Sequence, residues 1–215
     1  KSYDHSINLF ASSYAYLNKA ILFNDVGNAK DAGFCLKQAE RLDPTNYLIF
    51  NFKARAFAEN GDFNNAIQAY SRSLDIITMP ETLTALAEIY LETEQFQKAL
   101  DNISKAIMIQ GDYCYSCMYK VRGRIYHKMG KYEDALENYH VAIEGSDIQD
   151  MFAIGEIVSI YVDQRKYRKA IKLLTEKITE TNNELYETYL LAYLYSAKGR
   201  SEKAWDYVYD LVEFE

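Results

Sequence analysis

An alanine returns along this chain at a nearly constant interval, and that interval restricts the fold more than any other feature of the sequence. Ala32, Ala66, Ala99, Ala135, Ala170 and Ala204 follow one another at spacings of 34, 33, 36, 35 and 34 residues. A unit of this length cannot bury its apolar face alone, so copies must stack on one another, and a solenoid is expected.

The surroundings of each alanine define the unit. Nine residues before it stands an aromatic, Phe23, Phe57, Tyr90, Tyr126, Tyr161 or Tyr195. Twelve before it comes a small residue, Ala20, Ala54, Ala87, Gly123 or Ala192, with the bulkier Val158 in the fifth copy. Three before it a second aromatic recurs, Phe63, Phe96, Tyr132 and Tyr167, replaced by Ala29 and Ser201 in the first and last copies. Small residues let two helices cross closely while aromatics fill the space around the crossing. Five before the alanine lies Gly27, Gly61, Gly130 or Gly199, the residue that tolerates the left-handed conformation closing a helix, with Glu94 and Arg165 in its place in two copies. Each unit therefore reads as helix, tight turn, helix.

Composition agrees. Only 2 Pro and 9 Gly occur in 215 residues, too few for a protein of many short strands. Pro44 and Pro80 fall at unit junctions, where a missing backbone donor costs little. The chain is 49% apolar without any run of about 18 apolar residues, so no membrane span is expected.

In the fourth copy, Tyr119-x-x-Arg122-Gly123-x-x-Tyr126, then Gly130-Lys131-Tyr132-x-x-Ala135 and Tyr139-x-x-Ala142, resembles the tetratricopeptide repeat at each diagnostic place. The resemblance extends over six units, about 13–46, 47–79, 80–115, 116–150, 151–184 and 185–215. Copies five and six drift, carrying Lys177 and Leu211 where the family usually has a second alanine. Residues 1–12 read as the end of an upstream helix, and the helical pattern running to Glu215 suggests a fragment of a longer protein. The fold the resemblance implies is all-α: a right-handed superhelical solenoid whose first helices line a concave groove.

In the family, positions 2, 5, 9, 12 and 13 of each unit face that groove, spacings that return to one side of a helix. Here the first unit offers Tyr14, Leu17, Ile21, Asn24 and Asp25, and the second Leu48, Asn51, Arg55, Ala58 and Glu59. The third is acidic, with Glu81, Thr84, Glu88, Leu91 and Glu92. The fourth reverses sign, with Cys117, Lys120, Arg124, His127 and Lys128. Phe152, Gly155, Ser159, Val162 and Asp163 follow, and then Tyr186, Tyr189, Tyr193, Ser196 and Ala197.

The expected function is a non-enzymatic scaffold that binds a protein or peptide segment in this groove. An acidic group would lie near Lys120, Arg124, His127 and Lys128, an apolar part against Phe152, Tyr186, Tyr189 and Tyr193, and Arg55 and Glu88 would serve at the other end. Two alternatives stand beside it. The basic row could be a solvated face paired across units with Glu88 and Glu92, and the tyrosine-rich end could make the chain a structural spacer or a self-association module. Arg122, Lys53 and Lys19 fall on the packed side, where long stems bury and the charged heads reach an acid or water.

Other chemistries find little support. A formal charge of -7 opposes nucleic acid binding. Three cysteines, Cys35, Cys114 and Cys117, are no disulfide framework and point to the cytoplasm. Cys114-Tyr115-Ser116-Cys117 has the spacing of half a zinc site without the other half, so neither metal nor cofactor is expected. The three histidines have no nucleophile at a meaningful spacing. The lysine and asparagine pattern with which the family clamps chaperone C-terminal tails is missing, since Leu17, Ile21 and Phe52 occupy those places in one window and Ala85, Cys117 and Val121 in the next.

Overall fold

The computed structural model describes residues 2–111, 116–145, 151–180, 191, 193–200 and 203–204, with side chains from residue 12 onward except 176–180. All regular structure among them is helical. Five hairpins follow one another: α1 (Ser2–Asp25) with α2 (Ala29–Leu42), α3 (Tyr47–Glu59) with α4 (Phe63–Ile76), α5 (Pro80–Glu92) with α6 (Phe96–Gln110), α7 (Ser116–Lys128) with α8 (Tyr132–Glu144), and α9 (Met151–Asp163) with α10 (Tyr167–Glu180). Residues 2–12, expected as the end of an upstream helix, instead continue directly into the first helix of the first hairpin. The chain divides into two compact blocks, Lys1–Asp112 and Tyr113–Glu215.

The repeating alanine is buried in all six copies, four of them with no exposed surface at all. Of the small residues at the crossing, Ala20, Ala54, Ala87, Gly123 and Val158 are buried as well, and Ala192 lies outside the described residues. Gly123 marks the closest approach. A Cβ built there would meet Cε1 of the Tyr139 ring at 2.8 Å and Cζ at 2.9 Å.

All six turns close in the same way. The residue five before the alanine has positive φ each time: 75° at Gly27 and Gly61, 72° at Gly130 and 76° at Gly199, but also 58° at Glu94 and 56° at Arg165. The amide after it bonds back to the carbonyl of the recurring aromatic, Asn28 to Phe23, Asp62 to Phe57, Gln95 to Tyr90, Lys131 to Tyr126, Lys166 to Tyr161 and Arg200 to Tyr195, at 2.7–2.9 Å. This is the Schellman closure, which satisfies carbonyls that a helix end would otherwise leave orphaned. The aromatic thus has two duties, with its ring packing at the hairpin and its carbonyl holding the turn.

Glu94 and Arg165 bear a left-handed conformation that costs an L-residue about 1–2 kcal/mol, against about 0.5–1 kcal/mol of extra chain entropy for glycine. Glu94→Gly and Arg165→Gly are therefore expected to raise stability by about 0.5 kcal/mol each. Urea midpoints measure this, and a loss of stability in both variants would mean that the two turns carry no strain.

The charged residues on the packed sides behave as stems with anchored heads. Lys53 pairs with Glu40, and its ammonium lies 5.6 Å from the centre of the Phe50 ring. Arg122 donates from Nε to Asn138 Oδ1 at 2.5 Å and lies over Tyr119, while Lys19 lies over Phe23. Asn138, itself buried, donates to the Asp134 carbonyl at 2.7 Å.

Candidate functional site

The residues expected on the stripe of the first five units lie on the first helices of the hairpins, in both blocks. In the N-terminal block an open pocket of about 370 Å³ lies along α1, α3 and α5. Seven residues expected on the stripe line it: Tyr14, Leu17 and Ile21 from α1, Leu48, Asn51 and Arg55 from α3, and Glu81 from α5. Asn18, Phe52, Thr82 and Ala85, each one step off the stripe, and Tyr70 from the second helix α4 complete it, and a strict reading of spacing singles out none of them.

Arg55 spans the pocket wall. Its guanidinium lies 5.3 Å from the centre of the Phe52 ring, and Nε stands 3.6 Å from Glu59 one turn on. The buried Tyr70 hydroxyl titrates above its usual range, chiefly through burial, with Arg55 opposing and Glu88 and Glu59 reinforcing the rise. Asn51 donates to the Thr82 hydroxyl at 2.9 Å, and Asn24 to Glu59 at 3.4 Å, each tying α3 to a neighbouring first helix.

In the C-terminal block the basic row of α7 meets the acids of α9. His127 places Nε2 2.9 Å from Asp163 and Nδ1 3.5 Å from Glu156. The Tyr139 hydroxyl, from the fully buried ring that touches Gly123, donates to the same Glu156 carboxylate at 3.0 Å. The hydrogen bond to Glu156 does most to raise the His127 pKa above 6.5, with burial opposing and Asp163 adding. In return the His127 bond holds Glu156 below its usual range, against desolvation and with help from Tyr139 and Arg124. Burial, followed by the charge of Glu156, pushes Tyr139 far up. A carboxylate thus faces each ring nitrogen of His127, which lies in the joint between the α7–α8 hairpin and α9.

The other expected residues are distributed along the same face. The Lys120 ammonium lies 5.7 Å from the centre of the Phe152 ring, and that ring is 50% exposed. Arg124 is half-buried near Glu156 and Tyr139, on both of which its charge acts. Lys128 and Tyr193 are exposed, while Tyr186 and Tyr189 lie outside the described residues. Spacing did not single out Glu156. Cys117 is exposed, Cys114 lies outside the described residues, and among those described no group of three or more His, Cys, Asp or Glu is arranged to hold a metal ion.

Stacked two-helix units with a common turn and an open first-helix face define a helical-hairpin repeat protein. Family models of the tetratricopeptide repeat match residues 17–77 and 80–113, so these residues carry tetratricopeptide repeats, which in general serve as protein-interaction scaffolds. A TPR repeat-containing protein of Methanocaldococcus jannaschii is 27% identical over an alignment of 236 positions that covers 96% of this chain. Superkiller protein 3 of Schizosaccharomyces pombe is 25% identical over 209 positions covering 89% of it. The chain spans 40% and 15% of the lengths of these two relatives. Among solved structures, the type IV pilus biogenesis factor PilW matches with a TM-score of 0.74 at 16% identity, covering 93% of this chain and 91% of that one. The Cut9 and Hcn1 assembly of the APC/C matches with 0.70 at 14% identity, covering 98% and 42%. At these identities the two structures speak for the fold.

Proposed function

We propose that the protein is a non-enzymatic scaffold and that the face built by α7 and α9 binds a partner segment carrying an acidic group next to an apolar one. The observation behind this reading is the pairing of Lys120 with Phe152: a cation stands over a half-exposed aromatic ring contributed by the next first helix. A carboxylate can approach the ammonium while an adjoining apolar side chain covers the ring, a combination typical of binding hot spots. Exposed Lys128 extends the positive edge. His127 belongs to the joint rather than to the ligand, because its two nitrogens already face Asp163 and Glu156.

The test uses Lys120→Glu combined with Lys128→Glu. Arg124 is left intact because its charge acts on the Glu156 and Tyr139 pair that holds the hairpins together. Pulldown from native lysate with the two proteins, read by mass spectrometry, is expected to lose at least one partner in the variant. The affinity of the purified partner should fall by tenfold or more, since charge contacts that become desolvated on binding contribute more than about 1 kcal/mol each. Identical partner lists, or an affinity unchanged within twofold, would remove this face from the reading.

A further inference from the structure

The turn between α3 and α4 carries a dipeptide that the other five turns lack. Asn60 is the one asparagine in the sequence followed by glycine, and the other turns have Val26, Thr93, Met129, Gln164 and Lys198 in its place. Glycine has no Cβ to shield its amide nitrogen, so that nitrogen can come close to the carboxamide carbon of the residue before it. Asn60 and Gly61 are both exposed, within reach of water.

The folded turn nevertheless keeps the two groups apart. With ψ of 5° at Asn60, the Gly61 nitrogen eclipses the nitrogen of Asn60 itself and is turned away from the Cβ that bears the carboxamide. The Gly61 amide donates to the Ala58 carbonyl at 2.9 Å, and Asn60 Nδ2 donates to the Ala56 carbonyl at 2.7 Å. Nucleophile and leaving group are thus each held by α3. The bond from the Asp62 amide to the Phe57 carbonyl, at 2.9 Å, closes a ring around both.

We propose that Asn60 and Gly61 form a deamidation site gated by this turn, shut while the Schellman bonds stand and consumed when the hairpin opens locally. In the opened turn the Gly61 nitrogen gives its proton to solvent base and bonds to Cγ of Asn60, and Nδ2 leaves as ammonia, which forms a succinimide. Water then cleaves one of the two ring carbon-nitrogen bonds, so that one water has entered and one ammonia has left. The product is aspartate or isoaspartate. Aspartate adds a negative charge at the C-terminal end of α3, beside Glu59, where the helix dipole opposes it. Isoaspartate reroutes the main chain through Cβ and adds a carbon inside the ring that the Asp62 bond closes, so the turn cannot close again in its original geometry. A passing loss of structure becomes a lasting covalent change.

The experiment incubates the 215-residue protein at physiological pH and temperature, folded in buffer and unfolded in guanidinium chloride. Peptide mapping by mass spectrometry follows the amide-to-acid mass gain at Asn60, and methyl transfer from S-adenosylmethionine by an isoaspartyl carboxyl methyltransferase counts the isoaspartate. Conversion is expected to be at least tenfold slower in the folded protein than in the unfolded one. Asp62→Ala removes the cap of α4, whose carboxylate accepts from the Asn65 amide at 3.3 Å and from its side chain at 2.7 Å. This variant should deamidate at least threefold faster than the unaltered protein when folded and within twofold of it when unfolded. Circular dichroism establishes that the variant is folded. In the unaltered protein, hydrogen exchange of the Gly61 and Asp62 amides should quicken in step with deamidation as low concentrations of denaturant are added. Equal rates in buffer and in denaturant would overturn the gate, as would exchange that quickens without deamidation or a folded Asp62→Ala variant that reacts no faster. An unfolded chain that gains no acid at Asn60 would overturn the site itself.

Discussion

Gly123→Val is expected to lower stability by about 2–3 kcal/mol, the usual range for forcing extra atoms into a packed interior. The cause is local. A first added carbon already falls 2.8 Å from the Tyr139 ring, which has no exposed surface and is tethered by its hydroxyl to Glu156. The ring can neither retreat into solvent nor rotate away without giving up that bond. Glycine inside a helix costs about 0.5–1 kcal/mol relative to alanine, so its place in the middle of α7 reflects the need for close approach rather than helix propensity. Urea unfolding followed by circular dichroism measures the change. Combining Gly123→Val with Tyr139→Leu, which removes the ring, should recover part of the loss, and a cycle of the single and double variants should give a coupling of about 1 kcal/mol or more. Strict additivity, or a loss below about 0.5 kcal/mol, would show that the ring and the glycine do not constrain one another.

The second large effect depends on pH. His127→Gln is expected to destabilise the protein by about 2 kcal/mol near pH 6, the scale of hydrogen bonds to charged groups, and by progressively less as the solution becomes alkaline. The sign follows from the folded imidazole, whose pKa is raised above 6.5 by the carboxylates it faces. Stability from a raised basic group is complete below its unfolded value and disappears as pH rises through the folded one. Glu156 sets the lower limit. Its pKa is held below 4.5, so its contribution is complete above that value and is lost as pH falls through the lowered one. Melting temperatures of the two proteins across pH 5 to 9 give the difference directly. A difference independent of pH, or one that grows towards alkaline pH, would contradict an ionised His127 between Asp163 and Glu156.

Much of the architecture was legible because tight backbone geometry admits few residues. The alanines, the small residues of the crossing and the glycines of the turns are dictated by space and by φ, and those preferences recur at fixed intervals. Glu94 and Arg165 occupy the glycine place with the same positive φ, which shows that position in the unit governed the turn more than residue type did. The stripe residues lining the pocket were legible for the same reason, since helical periodicity alone brings Tyr14, Leu17 and Ile21 to one side. Glu156 was not. Its significance depends on how α9 lies against α7 and α8, a relation between helices that no single helix's spacing contains. The basic row likewise read as a set of equivalent cations, yet the structure divides them: His127 is bound into the joint, Lys120 lies over Phe152, and Lys128 faces solvent.

The Schellman turns also bear on how the chain acquires its structure during synthesis. Each turn is closed by bonds between residues three and five positions apart, Gly61 to Ala58 and Asp62 to Phe57 for example, and the crossing it sets up joins helices adjacent in the chain. Contacts so near in sequence close quickly, because little loop entropy is lost in making them. A hairpin is complete once about one repeat length has emerged from the ribosome, so each can condense while the next is still being translated. The nascent chain then exposes one unfinished hairpin at a time, which limits the apolar surface open to aggregation before synthesis ends.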